Sequence, residues 1–175
     1  ALACTVAAHG GVYVSHIRDE RAGLLAAIDE ALAVGAAAGV PTIISHLKSA
    51  ERTNWGRMPA VLAKLSAARE AGQPVTAEVY PYTAVSTRLR AFLPTASMQQ
   101  GAAGLAAWVS RHADAVAAHL AARGTDLSAM TLISESLPGA QGCSITALAA
   151  ARGEEPAETV SVSYTHLRAH ETDTD

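Results

Sequence analysis

Two histidines stand in the same setting. "VYVSHIRDE" holds His16 and "TIISHLKSA" holds His46, thirty residues further on; each follows a Ser, closes an apolar, β-branched run and precedes a basic residue, Arg18 or Lys48, by two places. Neutral imidazole is the commonest side-chain metal ligand, and zinc takes its nitrogen at about 2.0–2.1 Å. A lone histidine at the end of a strand is more often a hydrogen-bonded structural residue than a ligand. Repetition in matching context shifts that balance: if the two runs are neighbouring parallel strands, about 4.8 Å apart, both imidazoles stand at one sheet edge and form half a metal site. Two nitrogens on one tetrahedral zinc lie roughly 3–3.5 Å apart.

The segments around them supply such strands. After the first run, "AGLLAAIDEALAVGAAAGV" places Leu24, Leu25, Ile28 and Leu32 at helical spacing, with Gly39 suited to a helix C-terminus and Pro41 opening the next strand. The pattern then repeats as a strand "TIISHL", a polar turn, a helix carrying Met58, Val61, Leu62 and Leu65, Gly72, Pro74 and the strand "VTAEVY". Strand, helix, glycine, strand at a period near thirty residues marks βα units with parallel strands, because a parallel return needs a crossover. Periodicity alone does not separate an open doubly wound sheet from a closed (β/α)₈ barrel.

Beyond Tyr82 the rhythm loosens into a loop. A long Ala-rich helix is expected next, with Leu105, Trp108, Val109, Val116 and Leu120 as its apolar stripe and Gly124 at its end. "MTLIS" reads as a short strand, "SITALAAARG" as a helix with Ser144 near its N-cap, and Pro156 as the start of another. From Ser161, "SVSYTHLRAHETDTD" lacks an apolar period and resembles adaptor read-through in assembled environmental sequences, so residues 161–175 are expected to be a non-native, disordered tail and residues 1–160 a piece of one catalytic domain.

A formal net charge of −3, with 13 Lys and Arg scattered along 175 residues, gives neither a nucleic-acid footprint nor a membrane-surface face. Cys4 and Cys143 are far apart, and no signal peptide or long apolar run is visible, which points to a reducing cytoplasm. The first residue is Ala and the chain opens in "ALACTVAA", which reads as a helix already under way; a cut piece of a longer protein is expected.

"GGVYVSHIRDE", "AIDEALAVGAAAGVPTIISHLKSAERTNWGRMPAVL", "VTAEVYPYTAVST" and "GCSITALAAARGEEPAETV" resemble the N-acyl-D-amino-acid deacylases (D-aminoacylases) of the amidohydrolase superfamily. The resemblance covers the C-terminal part of the catalytic barrel. It implies an α/β fold, a partial (β/α)₈ TIM barrel, and a zinc-dependent hydrolase that cleaves N-acyl-D-amino acids to a D-amino acid and a carboxylate. His16 and His46 match the family's metal ligands on its fifth and sixth strands. Lys48, Tyr80 and Ser86 match substrate-site positions, Lys48 and Tyr80 towards the amino-acid carboxylate. Lys48, two residues past His46, points the same way if the strand continues. Simple alignment of the repeats puts Val79, not Tyr80, opposite His46.

The family's His-x-His strand, metal-ligating Cys and catalytic Asp have no match in this chain, and Cys4 and Cys143 match no ligand; no catalytic residue is therefore assigned, and the piece by itself is expected to be inactive. A cyclic-amide hydrolase of the dihydroorotase or hydantoinase kind is the alternative enzyme, but it would need a strand-borne bridging Lys, which is not seen. A partial translation product without function is the third reading. "HLRAH" spaces His166 and His170 like a helical zinc pair but lacks the Glu of a zincin. His112 and His119 are expected on one solvated helix face, and His9 as a cap.

Overall fold

The computed structural model describes residues 2–134, 137 and 139–171, without the side chains of 102, 103 and 166–171. The chain forms two compact units, Ala1–Ala84 and Val85–Asp175.

The first unit contains α1 (Leu2–Ala8), β1 (Tyr13–Ser15), α2 (Leu24–Ala38), β2 (Thr42–Ile44), α3 (Met58–Glu70) and β3 (Val75–Ala77). The three strands are parallel in the order β1-β2-β3, as the βα rhythm predicts. Helix α2 ends where expected: Gly39 takes φ 68°, a left-handed cap at which a side chain would be strained. Leu24 and Ile28 of α2, Val61 and Leu65 of α3, and Ile44 and Val75 of the sheet close one apolar core. Leu62, expected on the apolar stripe of α3, is 54 % exposed, because Val61 and Leu65, one turn apart, already fill the face towards α2 and the sheet.

Strands β1 and β2 are both shorter than their sequence runs suggest. The run "TIISHL" leaves β geometry after Ile44, and its register explains why. Ser15 stands opposite Ile44, so strict pairing would set Ser45 opposite His16 and His46 opposite Ile17. Side chains alternate along a strand, which would send His46 to the helix-covered face with Ile44 and Ile17, both buried. The chain inserts one residue instead. The Glu78 N–H donates to the Ile44 carbonyl (3.1 Å), but the Glu78 carbonyl accepts from Leu47 (2.8 Å) where regular parallel pairing would use residue 46. His46 takes up the extra residue at φ 39°, in the left-handed region. Leu47 then enters the core that alternation had reserved for His46.

The second unit contains α4 (Gly101–Arg111), α5 (Ala113–Ala122), α6 (Ile145–Arg152) and α7 (Pro156–Glu171). The expected single Ala-rich helix is two, broken at His112 (φ −129°, ψ 37°), so His112 is the junction and His119 lies within α5. Leu105, Val109, Val116 and Leu120 are buried as expected, while Trp108 is half-buried and stacks on His112 with ring centroids 4.3 Å apart. "MTLIS" contributes only a single antiparallel bridge, Thr131 with Ser144. The hydroxyl of Ser144 caps α6 by accepting from the Ala147 N–H at 3.1 Å.

Helix α7 passes Ser161, where disorder was expected, and continues to Glu171. Val160 and Tyr164, four apart on one face, are buried against Leu105, Val116 and Leu148, and Ser161 and Ser163 are buried as well. Residues 172–175 lie outside the described residues.

Two measurements test this architecture. Tyr164→Ala should lower the unfolding free energy by about 3–5 kcal/mol, the cost of emptying a buried aromatic site, as read by denaturant titration. Replacing His46 by Gly or by Ala removes the same imidazole contacts, so the difference between them isolates the backbone: His46→Gly should be the more stable by about 1 kcal/mol, since only glycine holds a left-handed φ without Cβ strain.

Candidate metal centre

The inserted residue brings the two imidazoles together. His16 Nδ1 and His46 Nε2 lie 2.8 Å apart, with ring centroids 4.6 Å apart and planes at 64°. This separation is a hydrogen-bond distance between one ring N–H and one ring lone pair, and it is shorter than the 3–3.5 Å of two nitrogens sharing a tetrahedral zinc. Both rings lie just past the C-terminal ends of β1 and β2, the edge at which α/β folds gather their sites.

A third ligand type joins them. His16, Glu20 and His46 offer two imidazole nitrogens and a carboxylate oxygen, all within 4.8 Å of one another. Among the described residues this is the one group of three or more metal-binding side chains. Two nitrogens with an oxygen suit a borderline-soft divalent ion such as zinc, so the donor set fits the metal that the sequence suggested. The His166 and His170 side chains lie outside the described residues. His9 is exposed in the turn that ends α1, and Cys4 and Cys143 are free.

Glu20 was not singled out from sequence. Oε1 of Glu20 is 2.9 Å from His46 Nδ1 and 2.6 Å from Lys48 Nζ. Its only sequence signal is an acidic residue four places after His16, which in an irregular loop says nothing about where the carboxylate lands. Local hydrogen bonds decide that. Asp19 accepts from the N–H groups of Arg21 and Gly23, at 2.7 and 3.0 Å, and the Ala50 N–H donates to the Glu20 carbonyl at 2.8 Å. The β1–α2 loop is thus tied to the β2–α3 loop at Glu20 itself.

Lys48 reaches the cluster by a different route from the one expected. The strand does not continue to it; the left-handed turn at His46 folds Lys48 back, so that Nζ donates to the His46 carbonyl at 3.1 Å and sits 3.1 Å from His46 Nδ1. Tyr80 joins from the segment after β3, its ring centroid 5.7 Å from Lys48 Nζ, within cation–π reach. Val79, the residue opposite His46 by simple alignment, is 71 % exposed. His16, His46, Lys48 and Tyr80 are therefore assembled in the first unit. Ser86 belongs to the second unit and is exposed. Arg18, the counterpart of Lys48 in the repeat, pairs instead with Glu30 of α2 at 2.6 Å, and its hydrogen bond holds the exposed Glu30 carboxyl below its ordinary pKa.

No family model matches the chain. Curated proteins do. The chain is 46 % identical over 88 residues to an N-acyl-D-glutamate deacylase and 41 % identical over 85 residues to a D-aminoacylase, both of Alcaligenes xylosoxydans xylosoxydans, in each case about half of this chain. It spans 18 % and 17 % of the length of those two relatives. Among solved structures, an N-acyl-D-glutamate deacylase of Bordetella bronchiseptica, complexed with zinc and a phosphonate that mimics the tetrahedral intermediate, superposes over 91 % of this chain and 27 % of its own, at TM-score 0.66 and 28 % identity. A D-aminoacylase that defines a novel subset of amidohydrolases matches over 90 % of this chain and 27 % of its own, at TM-score 0.61 and 28 % identity. The helix and parallel-sheet arrangement is thus that of a partial α/β barrel. The chain is similar in sequence over about half its length to N-acyl-D-glutamate deacylase and D-aminoacylase, and in fold over about nine-tenths of it to solved structures of such deacylases.

Proposed function

We propose that this chain carries part of the active centre of a zinc-dependent hydrolase that cleaves the amide bond of N-acyl-D-amino acids, with His16 and His46 as metal ligands. The observation that carries this reading is the convergence of the two imidazoles at one strand edge, achieved at the expense of a left-handed backbone at His46. Unusual backbone conformations of this kind are retained where the surroundings over-determine them, and they cluster at functional sites. The similar deacylases act on N-acyl-D-amino acids, and one of them is complexed with zinc. Bound zinc would supply Lewis acidity, polarising a carbonyl and lowering the pKa of water towards about 7.

The chain's own residues would read the substrate. An N-acyl amino acid carries a carboxylate beside its scissile amide, and desolvating that charge is costly unless cations or hydroxyls meet it. Lys48 has three ammonium protons. Glu20, the His46 carbonyl and His46 Nδ1 all lie within hydrogen-bond reach of them, so an incoming carboxylate would take the place of one of the two longer contacts, next to the imidazole pair. The Tyr80 ring flanks the ammonium. Ser86 is proposed as a further substrate contact on the resemblance alone. The carboxylate that would move the proton in hydrolysis has no assigned residue here, and Glu20 is occupied by Lys48 and His46. The chain by itself is therefore proposed to bind metal without turning over substrate.

Calorimetric titration of the chain with zinc alone should show one site, and His16→Ala or His46→Ala should each weaken it by more than about 100-fold, above the effect typical of residues outside the ligand set. Zinc uptake indifferent to both substitutions would sink the metal reading. In the whole protein, Lys48→Met should leave zinc content unchanged and remove about 2–4 kcal/mol of transition-state stabilisation, measured as kcat/KM on an N-acyl-D-amino acid. An acyl amine lacking the carboxylate should barely register the change; equal losses on both substrates would remove Lys48 from carboxylate recognition.

A further inference from the structure

We infer that Glu20 is a third ligand of the metal ion proposed for His16 and His46, supplying the one anionic donor of a site made of two imidazoles and a carboxylate. The inference rests on the proposed ligand role of the two histidines and adds a residue that neither the repeat nor the motifs pointed to.

Two imidazoles at a strand edge make an incomplete site. Zinc in hydrolytic centres takes three protein ligands and keeps its remaining position open, and two histidines with a glutamate form one such set. Glu20 is placed to complete it. One ligand atom each from His16, Glu20 and His46 lie within 4.8 Å of one another, which no other such group does among the described residues. The neighbouring carboxylates are engaged elsewhere: Asp19 accepts from the N–H groups of Arg21 and Gly23, one on each oxygen, Glu30 holds Arg18 at 2.6 Å, and Glu51 pairs with Arg21 at 2.9 Å. Glu20 keeps an oxygen available. Lys48 Nζ donates to Oε1 at 2.6 Å, and Oε1 is also the atom 2.9 Å from His46 Nδ1, whereas Oε2 has no hydrogen-bond partner among the described residues. A carboxylate has about four lone-pair sites, so the Lys48 bond does not exhaust it.

Charge gives a second argument. Histidine ligates as the neutral imidazole, and the Lys48 ammonium stands 3.1 Å from His46 Nδ1, so without Glu20 a dication would meet two uncharged rings beside a cation. Glu20 brings the missing negative charge on a side chain only 16 % exposed, where water and salt screen it less than at the open surface. The group is also fixed before any ion arrives. Its backbone is held on one side by the Asp19 turn and on the other by the Ala50 N–H, and the Lys48 bond orients the carboxylate, as ligating carboxylates are themselves hydrogen-bonded from outside.

The test titrates the chain with zinc alone by calorimetry at about pH 8, where an imidazole of ordinary pKa is neutral. Glu20→Gln should weaken binding by more than about 100-fold, beyond the 10–100-fold usual for a residue that acts through a ligand. The same loss should appear in the Lys48→Met background, where no ammonium is left for Glu20 to neutralise. A smaller loss, or one that vanishes with Lys48, makes Glu20 at most a positioning residue and overturns the inference. With Co²⁺ in place of zinc, the visible absorption bands should change on Glu20→Gln; an identical spectrum overturns it too. Should circular dichroism show Glu20→Gln to be unfolded, the wild-type chain with ¹³C in its glutamate carboxyl groups decides: the Glu20 resonance should shift on adding one equivalent of zinc, and an unmoved resonance overturns the inference. Zinc binding that needs His16 and His46 but not Glu20 removes Glu20 alone and leaves the metal reading standing, whereas a chain that binds no zinc removes both.

Discussion

One extra residue at the end of β2 governs the site. The histidine repeat has a period of thirty, but β1 and β2 pair with an offset of twenty-nine, Ser15 against Ile44. A one-residue slip normally sends a side chain to the wrong face of the sheet. Here the left-handed turn at His46 corrects the slip, placing the ring beside His16 and returning Leu47 to the core with Ile44, Leu24 and Leu65. Core packing and site geometry are therefore bound to the same bulge. Leu47 rewards the phase shift with buried apolar area at about 25 cal/mol per Å², and His46 carries its strain.

The charges around the pair follow from that turn. Folding back at His46 brings the Lys48 ammonium against a ring nitrogen, where an unneutralised cation would compete with any metal for the lone pairs. The Glu20 carboxylate offsets the ammonium's charge, at 2.6 Å from Lys48 Nζ and 2.9 Å from His46 Nδ1. Arg18, in the equivalent place of the first repeat, meets no such turn and pairs with exposed Glu30 on α2. Two sequence segments that read alike thus diverge in function because only one contains the bulge.

Much of this frame was legible in the sequence. The βα rhythm, Gly39 as a left-handed cap, Ser144 as an N-cap and Pro156 as a helix start are local signals, and each is found where its chemistry puts it. The two histidines were legible as a pair because repetition is visible without a structure. What was not legible depends on register and on contacts between loops. Strand length after Ile44, the exposure of Leu62 and the burial of Tyr164 are settled by partners distant in sequence. Glu20 is the clearest instance: a carboxylate in a loop has no period, and only the Asp19 turn and the Ala50 hydrogen bond say which way it points.

The same geometry bears on how much of a deacylase centre this chain can hold. Among the described residues, the cluster supplies two imidazoles, one carboxylate close to both a cation and a ring, and an ammonium held by its longer contacts to His46. Those are the parts needed to hold an ion and to meet a carboxylate. Catalysis of hydrolysis further needs a group free to take a proton from water and return it to the leaving nitrogen. Glu20 already pairs with the Lys48 ammonium at 2.6 Å and lies 2.9 Å from His46 Nδ1. Under the proposed function, these two loops would bind and position, and the cluster itself assigns no group to proton transfer.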